Sequence, residues 1–108
     1  MKLLLAAIAS LVFAVIALAD DTPTFAIVIK DHKFAPATLE VPAGKKIKLI
    51  VKNQDPTPEE FESYELNREK VIAGNSEAII FIGPLDPGVY PFFGEFNQAT
   101  AQGKIIAK

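Results

Sequence analysis

Three glutamates in two separate stretches of the chain have the types and spacing of oxygen ligands for a metal ion. Glu60 and Glu62 stand two residues apart in an expected strand, so their side chains should project from the same face. Glu95 could add a third carboxylate if that face meets the turn at residues 94–97. An oxygen-rich set of this kind suits Fe³⁺, Mn²⁺ or Ca²⁺ better than Cu⁺. We therefore take these three glutamates as the first candidate ligands.

Three further residues are second-tier candidates. The Tyr64 phenol and the Asn97 carbonyl could complete a hard site. His32, the only histidine, lies near two lysines that would repel a cation, so it is either an accessory ligand or an ordinary loop residue. The alternative for the whole acidic stretch at 59–65 is a solvated rim that keeps an edge strand from pairing. Both interpretations stay open at this level.

Composition excludes several classes of chemistry. The chain has no cysteine, which removes thiolate catalysis, iron–sulfur clusters and any site that needs a Cys ligand. No serine has a visible base or oxyanion motif, and a small β domain offers no obvious deep pocket for carboxylate catalysis. We predict that the protein is not an enzyme.

The first nineteen residues have the pattern of a signal peptide. A lysine at position 2 precedes an apolar run from Leu3 to Leu18, and Ala17-Leu18-Ala19 is a small-x-small cleavage pattern. A membrane anchor is the alternative, but the run is short and has no basic stop-transfer flank. We predict cleavage near Ala19 and a periplasmic or secreted protein that meets the membrane only during export. Residues 1–19 would then be the signal peptide and residues 20–108 the single domain.

The predicted domain has 89 of the 108 residues and is mildly acidic. Without Lys2, 10 of the 11 basic side chains remain against all 13 acidic ones. No basic stripe is visible, so nucleic acid is not an expected partner.

The elements that must position the glutamates are short strands. Alternating apolar residues and Pro or Gly turns recur every eight to twelve residues, which predicts an all-β sandwich. The strand at 45–53 shows it best, with Ile47, Leu49 and Val51 on one face and lysines on the other. Expected strands are 24–30, 37–41, 45–53, 61–66, 70–72, 77–82, 89–93 and 103–108, with single helical turns at most at 66–70 and 99–102.

Two long stretches resemble the cupredoxin family. "VPAGKKIKLIVKNQDPTPEEFE" is similar to its strand, PAG turn, Asn-ending strand and first-ligand segment, and "PLDPGVYPFFGEFNQATAQGKIIAK" to its closing half. A closer resemblance is to the cupredoxin-like domain of EfeO-type periplasmic iron-uptake proteins, through "DHKFAPATLEVPAG" and the acidic "EEFES" stretch. The resemblance covers Phe25 to Lys108 and implies a cupredoxin-like Greek-key β-sandwich of about seven short strands.

The resemblance also implies where copper ligands would stand, and each position carries another residue. The first His position falls at or beside Glu60, the Cys on Gly94, the second His on Asn97 and the Met near Ala101. The Cys that some iron-uptake relatives carry corresponds to Phe34. Type 1 copper is therefore not expected.

The sequence thus predicts an exported binding protein without type 1 copper. The resemblance implies a role in the uptake of iron or another transition metal, with a membrane iron permease or another periplasmic component as partner. The alternative is a metal-free interaction module that docks through its Phe93 and Phe96 end.

Overall fold

The computed structural model describes residues 21–108, and these residues form an all-β sandwich. The predicted signal peptide at 1–19 lies outside the described residues. Within residues 21–108, no helix is long and apolar enough to cross a membrane. The strands are β1 (Thr24–Lys30), β2 (Lys33–Ala35), β3 (Thr38–Val41), β4 (Ile47–Asn53), β5 (Glu59–Ser63), β6 (Arg68–Ile72), β7 (Ser76–Ile82), β8 (Gly88–Gly94) and β9 (Gln102–Ala107).

Two mixed sheets make up the sandwich. One has four strands in the order β2-β1-β4-β7, and the other has five in the order β3-β9-β8-β5-β6. Two pairs are parallel, β1 with β4 and β3 with β9, and the other pairs are antiparallel. The predicted sandwich architecture is confirmed, with nine strands rather than about seven.

The core between the sheets follows from strict alternation along the strands. Ile47, Leu49 and Val51 of β4 are completely buried, as their spacing predicts. From the other sheet, Phe61 and Phe92 stack with ring centroids 5.0 Å apart. Phe34 packs edge-on against both rings. The described part of the chain therefore contains a complete sandwich with its own aromatic and aliphatic core.

Four local features differ from what the sequence analysis expected. The strand expected at 61–66 begins earlier and runs over Glu59–Ser63 as β5. It is also not an edge strand, because β8 and β6 flank it and β6 is the edge. The short strand β2 was not predicted. Among residues 21–108 the helical turn is a 3₁₀ turn at Glu95–Asn97 rather than at 99–102.

Candidate functional site

Glu59 lies together with three positions that the resemblance matches to copper ligands, and these three are Gly94, Asn97 and Ala101. A Cβ placed on Gly94 would stand 2.7 Å from Glu59 Cδ and 2.7 Å from Ala101 Cβ. The Gly94 amide donates to the Ala101 carbonyl at 2.9 Å, which closes the loop between β8 and β9. Asn97 reaches the same place through its side-chain amide. The fold therefore retains the frame of a ligand loop.

Glu59 occupies the centre of this frame. Its side chain is 2 % exposed and accepts three hydrogen bonds. The backbone amides of Glu60 and Phe96 donate to Oε1 at 2.9 and 2.8 Å, and Asn97 Nδ2 donates to Oε2 at 2.7 Å. The carboxylate thus joins β5 to the 3₁₀ turn by hydrogen bonds alone.

The sequence prediction placed the first ligand position at or beside Glu60 and did not choose Glu59. A usable signal existed, because Glu59 lies two residues before the core residue Phe61 and so shares its inward direction. The strand had been expected to begin only at Phe61. Charged residues are also seldom buried, which favoured an exposed position for Glu59.

This centre does not fit a type 1 copper ion. Such a site needs a thiolate and two imidazoles, and the matching positions offer a glycine and a carboxylate, with an amide at the third. Both oxygens of Glu59 already accept hydrogen bonds, and no buried polar side-chain atom among the described residues lacks a partner. A soft cation finds no free donor there.

A separate group of carboxylates lies on the outer face of the five-stranded sheet. Glu60 and Glu62 project there from β5, and Glu69 of β6 stands directly opposite Glu62. One oxygen from each of the three lies within 4.8 Å of the others. We call Glu60, Glu62 and Glu69 the outer carboxylate cluster.

Ionisation of the glutamates in the cluster is unfavourable. Partial desolvation raises the pKa of Glu60, and the negative charges of Glu69 and Glu95 raise it further. Desolvation also raises the pKa of Glu62, with Glu95 as the next largest cause. Like charges disfavour ionisation of their neighbours, and a bound cation would remove that penalty.

Glu95 lies near the cluster without belonging to it. Its charge acts on Glu60 and Glu62, but its Oε2 accepts a hydrogen bond from Gln98 Nε2 at 3.1 Å. The structure therefore brings the two predicted β5 glutamates together with Glu69, which the sequence did not indicate. Glu95 is a flanking charge, and its role as a ligand stays a prediction.

The second-tier candidates lie apart from the cluster's centre. The side-chain amide of Asn97 donates a hydrogen bond to Glu59. Tyr64 is 73 % exposed and packs its ring against Phe93, with centroids 5.5 Å apart. His32 belongs to the turn between β1 and β2.

That turn is held by the carboxylate of Asp55. Asp31 and His32 both have positive φ angles, 53° and 59°, and their backbone amides donate to the Asp55 carboxylate at 2.8 and 2.9 Å. The His32 amide is the main cause that lowers the pKa of Asp55. Nδ1 of the His32 ring lies 3.5 Å from Asp55 Oδ2. The backbone carbonyl of His32 accepts a hydrogen bond from Thr100 Oγ1 at 2.6 Å. The residue therefore links the turn to the loop before β9.

Comparison with known proteins agrees with this geometry. The cupredoxin-like domain family matches residues 3–107. An uncharacterized protein of Rickettsia prowazekii strain Madrid E is 54% identical over 87 residues, which cover 81% of this chain and 70% of that protein.

Solved structures share the fold at low sequence identity. Auracyanin A, a blue copper protein of Chloroflexus aurantiacus, has a TM-score of 0.70 and 14% identity, over 82% of this chain and all of its own. The metal-binding domain of the Cu(I)-exporting P-type ATPase CopA of Streptococcus pneumoniae has a TM-score of 0.67 and 17% identity, over 79% and 84% of the two chains. Amicyanin from Paracoccus versutus has a TM-score of 0.60 and 14% identity, over 85% and 88%. The chain belongs to the cupredoxin-like domain family.

Proposed function

We propose that the protein is an exported, non-enzymatic binding protein that holds a hard metal cation on the outer carboxylate cluster. The observation that carries the proposal is the convergence of Glu60, Glu62 and Glu69 within 4.8 Å on two paired strands. Partial desolvation, and next the negative charges of neighbouring glutamates, raise the pKa values of Glu60 and Glu62. A cation would offset this repulsion, and Glu95 would strengthen the local negative field.

The donor atoms decide the class of metal. The cluster offers carboxylate oxygens only, which favours Fe³⁺, Mn²⁺ or Ca²⁺ over Cu⁺. Iron is the candidate that agrees with the resemblance to EfeO-type domains, which stays a prediction. On this proposal the domain acts outside the cytoplasm, in iron or other transition-metal uptake, and passes its cation to a membrane iron permease or another periplasmic component.

Calorimetric titration of residues 21–108 with Fe³⁺ supplied as its citrate complex, and with Mn²⁺, Ca²⁺ and Cu²⁺, tests the proposal. We expect saturable binding of at least one hard cation, weakened at least tenfold in Glu62→Gln and Glu69→Gln. Glu77→Gln, which removes one carboxylate from the other sheet, is the matched control and should bind normally. Glu95→Gln separates the two ligand sets: a small effect supports the observed cluster, and a loss as large as that of Glu62→Gln supports the sequence prediction. No saturable binding by the unchanged protein would refute the proposal.

A second candidate function is a metal-free interaction module. The observation that favours it is an exposed aromatic group beside the carboxylates. Tyr64 and Phe96 are 73% and 51% exposed, and Phe93 packs beneath Tyr64. Aromatic side chains of this kind are typical anchors in protein interfaces. A photo-crosslinker at Tyr64 should then capture one partner in cells, and one at Val89 on the same sheet should not. Equal capture from both positions would contradict this candidate.

A further inference from the structure

The outer face of the four-stranded sheet has an apolar centre that the proposed cation site does not use. Ile80 and Ile82 of β7 point into the core, so Ile79 and Phe81 between them point outward, and they are 52% and 43% exposed. Ile50 of β4 stands opposite Ile79. Ala26 and Val28 of β1 complete the apolar centre.

Lysines surround this apolar centre. Lys48 stands opposite Phe81, and Lys46 places its Nζ 4.6 Å from the centre of the Phe81 ring. The outward positions of β1, β2 and β4 supply three more lysines, and Glu77 is the one acidic residue among the outward strand positions. We define the basic face as these five lysines with the apolar centre they enclose: Lys30, Lys33, Lys46, Lys48 and Lys52.

The charge of this face is opposite to that of the protein. The whole chain has a formal net charge of −2, yet the outward strand positions of this sheet carry four lysines and one glutamate, and Lys46 adds a fifth positive charge. The outer carboxylate cluster lies on the other sheet, so the two faces of the sandwich differ in sign. Charge segregation of this kind creates a directed surface potential.

We propose that the basic face docks the protein on an anionic phospholipid surface. Lysines spread over a sheet face suit a field of headgroup phosphates, because each ammonium is a mobile point charge on a flexible stem. Exposed Ile79 and Phe81 can enter the boundary between headgroups and acyl chains, as apolar side chains of interfacial proteins do. Arg68, the one arginine, instead donates from Nε to the Phe81 carbonyl at 2.8 Å and is not part of the face.

Charge complementarity also allows another occupant, the acidic face of a second copy. That contact would join unlike faces on opposite sides of the sandwich. Heterologous contacts of this kind leave a free face on each added copy and form open-ended chains unless their rotation closes a ring. A lipid surface would compensate the charge of the basic face without forming such chains. Docking would also leave the outer carboxylate cluster directed away from the membrane and accessible to solvent.

Flotation of residues 21–108 with phospholipid vesicles tests the proposal. We expect binding to phosphatidylcholine vesicles that contain 30% phosphatidylglycerol, weak or no binding to pure phosphatidylcholine, and loss of binding in 0.5 M NaCl. Lys30→Gln/Lys52→Gln should bind about 30-fold more weakly, from the contribution of single lysines near an anionic surface. Lys70→Gln/Lys104→Gln, which removes two exposed charges from the five-stranded sheet, is the matched control and should stay within about threefold of the unchanged protein.

A second variant tests the apolar centre, and folding is checked for each variant by circular dichroism. Ile79→Ser/Phe81→Ser keeps every lysine and should also bind less tightly. Absence of binding to anionic vesicles would overturn the proposal. An equal loss of vesicle binding in Lys30→Gln/Lys52→Gln and in Lys70→Gln/Lys104→Gln would also overturn it. Self-association of the unchanged protein that Lys30→Gln/Lys52→Gln abolishes would assign the basic face to a second copy instead. None of these outcomes depends on metal binding, so the proposal can fail independently of the proposed function.

Discussion

The buried carboxylate of Glu59 should be the polar group on which the closed end of the sandwich most depends. Replacing it with alanine removes the acceptor for the Phe96 amide and for Asn97 Nδ2, which bond to it at 2.8 and 2.7 Å. It also removes the acceptor of the Glu60 amide. The change therefore leaves donors without partners in a region where the carboxylate is 2% exposed.

The expected cost follows from these contacts. A hydrogen bond to a charged group contributes about 1.5–3 kcal/mol, and each buried donor left without a partner costs about 1–3 kcal/mol. Water entering the space recovers part of this, so we expect Glu59→Ala to lower the free energy of unfolding by about 3–4 kcal/mol. Asn97→Ala leaves only one carboxylate oxygen without its donor and should cost about 2 kcal/mol. The double variant should lose about 1–2 kcal/mol less than the two single losses together.

Urea unfolding of residues 21–108, followed by circular dichroism, measures these values. Glu60→Ala is the matched control, because it removes the neighbouring carboxylate from the outer face and should not destabilise the protein. The reasoning is refuted if Glu59→Ala costs no more than Glu60→Ala. Strict additivity of Glu59→Ala and Asn97→Ala would show that the two side chains do not interact.

Three further predictions concern the same end of the sandwich and the turn beside it. Gly94→Ala should lower the free energy of unfolding by about 1–3 kcal/mol, because its Cβ would stand 2.7 Å from Glu59 Cδ; urea denaturation measures this. Asp55 has a pKa lowered from 3.8, so its contribution to stability is complete above that pH and is lost as the pH falls through the lower folded value. Acid unfolding of Asp55→Asn should therefore show less pH dependence below pH 4 than that of the unchanged protein. Glu62 has a pKa raised from 4.5, so its ionisation destabilises the folded state, and Glu62→Gln should raise the melting temperature at pH 7. The gain should vanish below pH 4.5, where folded and unfolded chains both carry the proton, and a gain that persists there would contradict the desolvation and repulsion of the ionised Glu62 as its cause.

The sequence predicted the sandwich well because its strands obey one simple rule. In β4, every second residue from Ile47 to Val51 is apolar and completely buried, and Ile50 is the one apolar residue on the outward side. β5 follows the same alternation, but its inward set includes Glu59, and burial of a charged residue depends on partners that lie 37 and 38 positions later. Tertiary hydrogen bonds of this kind have no local pattern in the sequence.

The candidate site was predicted only in part for a related reason. Spacing alone placed Glu60 and Glu62 on one face, and the structure agrees. The third carboxylate depends on the register of β5 against β6, which sets Glu62 opposite Glu69. Register depends on the geometry of the intervening turn, and a shift of one residue would have moved Glu69 to the other face. The sequence gives no direct measure of that register.

The hydrogen bonds of Glu59 also predict how the protein responds to loss of metal. In a metal site, the ion itself holds the ligand-bearing segments together, and small metal-dependent domains unfold when a chelator removes it. Here Glu59 joins β5 to the 3₁₀ turn through the protein's own donors, and the proposed cation lies outside, on the exposed face of β5 and β6. Excess EDTA should therefore leave the thermal unfolding curve and the circular dichroism spectrum of residues 21–108 unchanged.

A saturating cation should raise the melting temperature only as far as its affinity for the folded state dictates. Glu62→Gln should abolish that rise, and Glu77→Gln should preserve it. Unfolding on addition of EDTA would show that a metal, and not the Glu59 carboxylate, holds this end of the sandwich closed.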